Sequence, residues 1–141
     1  MADQAQIGEL AEKMAEERNK LLAALEALSE EQAAASPKPG EWNQKQQMAH
    51  LCEMETAYRA WVQRALEEDG AVVDGVRPEP PAIRLEDAAA HSVAEHVAEM
   101  RRQREKTMAV IASMKPEDFE RRATTAAFGP RTGMQWLRSY Y

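Results

Sequence analysis

Gly40-Glu41-Trp42-Asn43-Gln44-Lys45-Gln46-Gln47-Met48-Ala49-His50-Leu51-Cys52-Glu53-Met54-Glu55 is the stretch whose reading decides the fold. A glycine bend with an aromatic leads into it. Asn43 and Gln46 then have the spacing of a capping box, which satisfies the first free N–H groups of a helix. Beyond the cap, Met48, Leu51, Glu55, Tyr58, Val62, Ala65 and Leu66 step by threes and fours. A helix therefore runs to about Asp69 and stops at Gly70. His50, Met54 and Trp61 fall along one margin of its apolar stripe. So wide an arc touches more than one neighbour, as in the core of a helical bundle. His50 is then a candidate metal ligand, because bundles build metal sites from side chains on facing helices.

The same periodicity extends in both directions. Ile7, Leu10, Met14, Leu21, Leu25 and Leu28 form one stripe over residues 4–28, with Arg18 inside it. Ser29 with Gln32 repeats the capping box and predicts a short turn of helix, ended by Pro37, Pro39 and Gly40. Residues 71–85, with Gly75, Pro78, Pro80 and Pro81, lack a helical period and read as the longest loop. Ser92 with Glu95 opens a third long helix carrying Val93, Val97, Met100, Met108, Ile111 and Met114, with Arg104 in its stripe. Helical residues before it start near Glu86, and Pro116 ends it or opens one more turn. Residues 123–131 read as a linker with a Gly129-Pro130 turn. Thr132 then caps a short last helix bearing Met134, Trp136, Leu137 and Tyr140.

Composition bounds the class. A chain of 141 residues makes one domain, spanning 1–141. Its aliphatic content comes from Ala, Leu and Met, and 6 glycines are few, which suits an all-α protein. A net charge of -6 argues against a nucleic-acid partner. The densest basic run, Arg101, Arg102, Arg104 and Lys106, is broken by Glu105 and reads as a solvated helix face. The single cysteine, Cys52, excludes an intrachain disulfide and fits a reducing cytoplasm. No apolar run approaches the length of a membrane span, and no secretory signal opens the chain. A soluble, cytoplasmic protein without a membrane partner is expected.

Few residues carry chemistry. A lone His50 is commonly a half-buried histidine bonded to a backbone carbonyl. His91 and His96 lie five apart, about 140° around a helix, so they cannot chelate one ion and read as surface or interfacial. Cys52 has no cation at helical spacing to activate it and reads as an apolar filler. Glu55 is the anomaly, since a carboxylate in an apolar stripe needs a partner. Arg18 and Arg104 stand at comparable places on their own helices. A structural ion pair or network is the expectation. The functional alternative makes Glu55 a carboxylate that orients a metal ligand or takes a proton beside a metal pocket.

In order along the chain, Arg18 with Leu21 and Leu22, Leu28-Ser29-Glu30-Glu31, Gly40-Glu41-Trp42, His50-Leu51 with Glu55, residues 92–104 and Phe128-Gly129-Pro130-Arg131-Thr132 resemble the DinB-like superfamily of helical bundles. The resemblance implies an all-α, up-and-down-like four-helix bundle. It also implies a site for a divalent metal (zinc, nickel or iron), with His50 joined by two histidines one turn apart on the fourth helix. Metal-dependent hydrolysis and thiol-dependent transfer or isomerisation are the activities it implies; three nitrogen ligands would leave positions open for water or substrate. This sequence departs from that pattern. Its fourth helix stops where the histidine pair should begin, so the chain either is truncated or lacks the metal site. A metal-free bundle that binds a small apolar or electrophilic ligand, or protects against one, is the alternative. A short fourth helix would leave apolar surface around Met54 and Trp61 uncovered, which predicts a homodimer with Trp136 and Tyr140 at or near the contact.

Overall fold

Every capping signature in the sequence is used. A computed structural model describes residues 2–139. Helix α1 spans Gln4–Glu26, α2 Glu30–Ala34, α3 Gln44–Glu67 and α4 Val93–Ser113. The final helix, α5, spans Gly133–Arg138. Reciprocal capping boxes start all five, on Asp3, Ser29, Asn43, Ser92 and Thr132. The sequence reading named the boxes on Ser29, Asn43 and Ser92 and the cap on Thr132, and missed the Asp3–Gln6 box. Gly70 stops the chain after α3 in the left-handed region, at φ 84°, where a side chain would be strained.

The three long helices form the frame. α4 packs against both α1 and α3, and α5 packs on α3. Two larger apolar clusters fill the interior, beside a small one of Ala49, Ile83 and Ala88. One gathers Leu10, Met14, Val62, Ile111, Phe119, Trp136 and Leu137. The other gathers Leu22, Leu25, Met48, Cys52, Val97 and Met100. Between them in sequence, each long helix carries buried charge: Arg18 between Met14 and Leu22, Glu55 and Arg59 between Cys52 and Val62, Arg104 between Met100 and Ile111. A polar layer thus divides the core. No helix is long and apolar enough to cross a membrane among the described residues.

Two segments differ from the sequence reading. The expected linker over 123–131 is a hairpin, with β2 (Arg122–Thr125) antiparallel to β3 (Gly129–Thr132). The expected loop over 71–85 begins with β1 (Ala71–Val72), which pairs in parallel with β2. It leads into a 3-10 helix over Leu85–Ala90, close to the helical start expected near Glu86. These strands are too short for alternation to register, and Pro130 argues against a strand. It is tolerated because β3 is an edge, where the missing N–H costs no ladder bond. Gly129, at φ 69°, supplies the left-handed residue that turns the hairpin. The small sheet positions α5: the Trp136 indole N–H donates to the Ala123 carbonyl at 3.3 Å.

Candidate functional site

Glu55 is 3% exposed and lies at the centre of the bundle. Arg18 on α1 donates to its Oε1 at 3.1 Å. Arg104 on α4 grips both oxygens, Nε to Oε2 at 3.0 Å and Nη2 to Oε1 at 3.2 Å. The Thr107 hydroxyl donates to Oε2 at 2.7 Å. One carboxylate therefore joins three helices through charge-assisted bonds. The expected ion network forms, and Arg104 ties it further to α1 through the Met14 carbonyl at 3.0 Å. Burial, together with the neighbouring Arg104, lowers the Arg18 pKa, while Glu55 opposes that shift.

The network continues through residues that the sequence reading did not single out. Arg59, 8% exposed, donates to Thr107 Oγ1 at 3.1 Å, to the Gln103 carbonyl at 3.0 Å and to Gln103 Oε1 at 2.7 Å. The Gln103 amide reaches Glu99 at 3.2 Å. Arg102 holds Glu99 in a bidentate pair at 2.6 and 2.9 Å. The Ala82 N–H also donates to Glu99, and the Leu85 N–H donates to Glu53 at 3.0 Å. Two carboxylates thereby pin the proline-rich segment to α3 and α4. Burial alone would raise the Glu99 carboxyl, but bonds from Arg102, Ala82 and Gln103 outweigh it and leave the pKa lowered. One signal was legible: Arg59 follows Glu55 by four and Thr107 follows Arg104 by three, the spacings of neighbours on one helix face.

The isolated candidates separate. His50 is half-buried, its ring 4.9 Å from that of Trp42 and tilted by 55°. Cys52 is buried; burial and the nearby Glu99 and Glu55 push its thiol up to about 12, which makes it an inert filler as expected. His96, expected at the surface or an interface, is instead 1% exposed within the chain, with Nε2 donating to the Ala88 carbonyl at 2.8 Å. It locks the 3-10 helix onto α4. His91 is half-exposed and bonds Glu95 at 2.7 Å.

Burial, with smaller contributions from His91 and Lys45, depresses the His96 pKa; the Ala88 carbonyl and Glu95 oppose this without reversing it. Its folded pKa lies below the ordinary 6.5, so the unfolded chain takes up the proton first. His96 should therefore give its full stabilisation above 6.5 and lose it as pH falls from there toward the depressed value. An NMR titration should show the His96 ring protonating below 6.5, with the amides of 85–90 shifting in step. A ring that titrates above 6.5 would contradict this burial.

Donor chemistry can be tested against the metal site that the resemblance implies. Trp136 packs against Tyr58 and Trp61, at 5.6 and 5.0 Å between rings. Ser139 lines a cleft of about 50 Å³ with Leu51, Met54, Glu55 and Tyr58. The chain thus advances along α3 from Trp61, beside Trp136, toward Met54, beside Ser139. Among the described residues no group of three His, Cys, Asp or Glu side chains could hold a metal ion. Glu55 is already engaged by Arg18, Arg104 and Thr107. Trp136, expected at a dimer contact, is 1% exposed within the chain, and Tyr140 lies outside the described residues.

Known structures share this arrangement. YfiT from Bacillus subtilis, described as a probable metal-dependent hydrolase with an unusual four-helix bundle topology, is similar with a TM-score of 0.78 and 16% identity, over 99% of this chain and 80% of YfiT. The four-helix bundle protein TT2238 is similar with a TM-score of 0.70 and 19% identity, over 96% of this chain and 90% of that one. A mycothiol-dependent maleylpyruvate isomerase is similar with a TM-score of 0.72 and 9% identity, over 95% of this chain but 55% of the isomerase. At these identities the likeness is one of fold. No curated protein matches the chain in sequence. The model of the DinB superfamily matches residues 13–140, taking in the second half of α1, all of α3 and α4, the hairpin and α5, and the chain belongs to that superfamily.

Proposed function

We propose that the domain serves the chemistry of divalent-metal-dependent hydrolysis or thiol-dependent group transfer at the α3 face of His50, and that His50 is the one metal ligand these residues contribute. The supporting observation is the path of the chain after Trp136, which passes Trp61 and at Ser139 reaches Met54, one helical turn from His50 on the same margin of α3. Glu55 stands beside that face as a structural anchor, its oxygens taken by arginine and threonine donors. One imidazole does not make a metal centre, since stable sites use three or four protein ligands. Titration of zinc, nickel or iron(II) into the chain should give a dissociation constant no tighter than about 1 mM. His50→Ala should weaken it further. Equal binding by that variant would remove His50 from the site.

A second reading is a metal-free bundle that holds a small apolar or electrophilic ligand. A groove of about 240 Å³ between α1 and α4, walled by Ala15, Leu22 and Met108, favours it. Turnover of an activated ester, or of an electrophile with a low-molecular-weight thiol, separates the two. Dependence on added metal and loss in His50→Ala support the first reading; ligand binding indifferent to both supports the second.

A further inference from the structure

Among the described residues, Arg59 is the buried arginine that pairs with no carboxylate. All its hydrogen bonds go to neutral acceptors, the Gln103 carbonyl, Gln103 Oε1 and Thr107 Oγ1. Arg18 and Arg104, by contrast, share Glu55. An unpaired guanidinium that is 8% exposed is costly to bury, so a counter-ion is worth seeking. The groove that Arg59 lines, between α3 and α4, has a volume of about 370 Å³. Lys106 lines it from α4, half-buried and without an ion pair among the described residues. Gln63 adds a polar side chain, and Ala60, Ala109 and Val110 provide apolar wall. Among the described residues, Glu79, at the exposed rim, is the one carboxylate that lines the groove, and no ion pair joins it to either cation.

We propose that this groove binds a small organic monocarboxylate, its carboxylate held between Arg59 and Lys106 and its short apolar part against Ala60, Ala109 and Val110. A guanidinium fork suits a planar carboxylate, and its remaining N–H groups can donate to one. A monoanion fits better than phosphate because Glu79 adds negative charge at the mouth. Glu79 is also the built-in competitor, carried on the proline-rich segment. This groove lies away from the His50 face, so the proposal stands or falls independently of the metal reading.

The test is a titration of the full chain with butyrate, with chloride and inorganic phosphate at matched ionic strength as the other arms, read by NMR at the Arg59 Nε–H and the amides around Lys106. Butyrate should shift these signals saturably, with a dissociation constant of about 1 mM or tighter. Lys106→Gln should weaken binding about threefold, as for a solvent-screened charge. Glu79→Gln should tighten it by a similar factor. Arg59→Gln should weaken it about tenfold or more where circular dichroism shows the variant folded; the two surface variants decide the matter if it is not. Equal shifts with chloride, a larger effect of phosphate than of butyrate, or no response to either surface variant would each overturn the proposal.

Discussion

Replacing Glu55 with alanine should destabilise this chain by about 3–5 kcal/mol, because the change strands buried arginines rather than merely deleting a contact. Arg18 and Arg104 are 9% and 6% exposed, and each donates to this carboxylate. Removing it leaves two like charges facing each other in the core, with the Thr107 hydroxyl lacking an acceptor it now uses. Glu55→Gln should cost less, since an amide oxygen still accepts one or two of these bonds. Replacing all three charges together by apolar side chains of similar volume should recover much of the loss, as buried ion clusters often do no better than packed hydrophobes. Urea unfolding of the three variants checks this. An unchanged midpoint for Glu55→Ala would mean that the carboxylate reaches water and the polar layer does not exist.

Trp136→Ala should have an effect of similar size, about 3–5 kcal/mol, the usual range for a buried aromatic truncated in a core. The indole is 1% exposed. It meets Tyr58 and Trp61 on α3 and Phe128 on the hairpin, at 5.6, 5.0 and 6.2 Å. Arg131 lies over its ring at 5.3 Å. A helix of 6 residues has little stability of its own, so α5 stays folded only through this docking. The loss should appear in chemical unfolding, together with a red shift of tryptophan emission as Trp61 is uncovered. A loss below about 1 kcal/mol would show that α5 is not held against α3.

The parts of this structure that repeat were legible in the sequence, and the parts made by tertiary pairing were not. Stripes at three and four residues and paired capping residues mark α1, α3 and α4, because helix bonds and caps are local. The same stripes exposed Arg18, Glu55 and Arg104 as misplaced charges, and burial forces such charges to find one another. The hairpin was hidden. Arg122-Ala123-Thr124-Thr125 is too short for its two threonines to mark a strand, and its pairing with β1 joins residues some fifty positions apart. His96 misled for a related reason: its partner is the Ala88 carbonyl of the preceding 3-10 helix, whose fold-back no periodicity reveals. Arg59 was overlooked because it lies at the edge of the stripe, where a cation is ordinarily taken to be solvated.

Metal content tests the functional account most directly. The purified chain, grown with zinc, nickel and iron supplied and then dialysed against a chelator, should retain far less than one divalent ion per molecule, since among the described residues no group of three His, Cys, Asp or Glu side chains could hold a metal ion. Stoichiometric metal that survives the chelator would contradict the account and show that other residues, or a second copy of the chain, complete the site at His50.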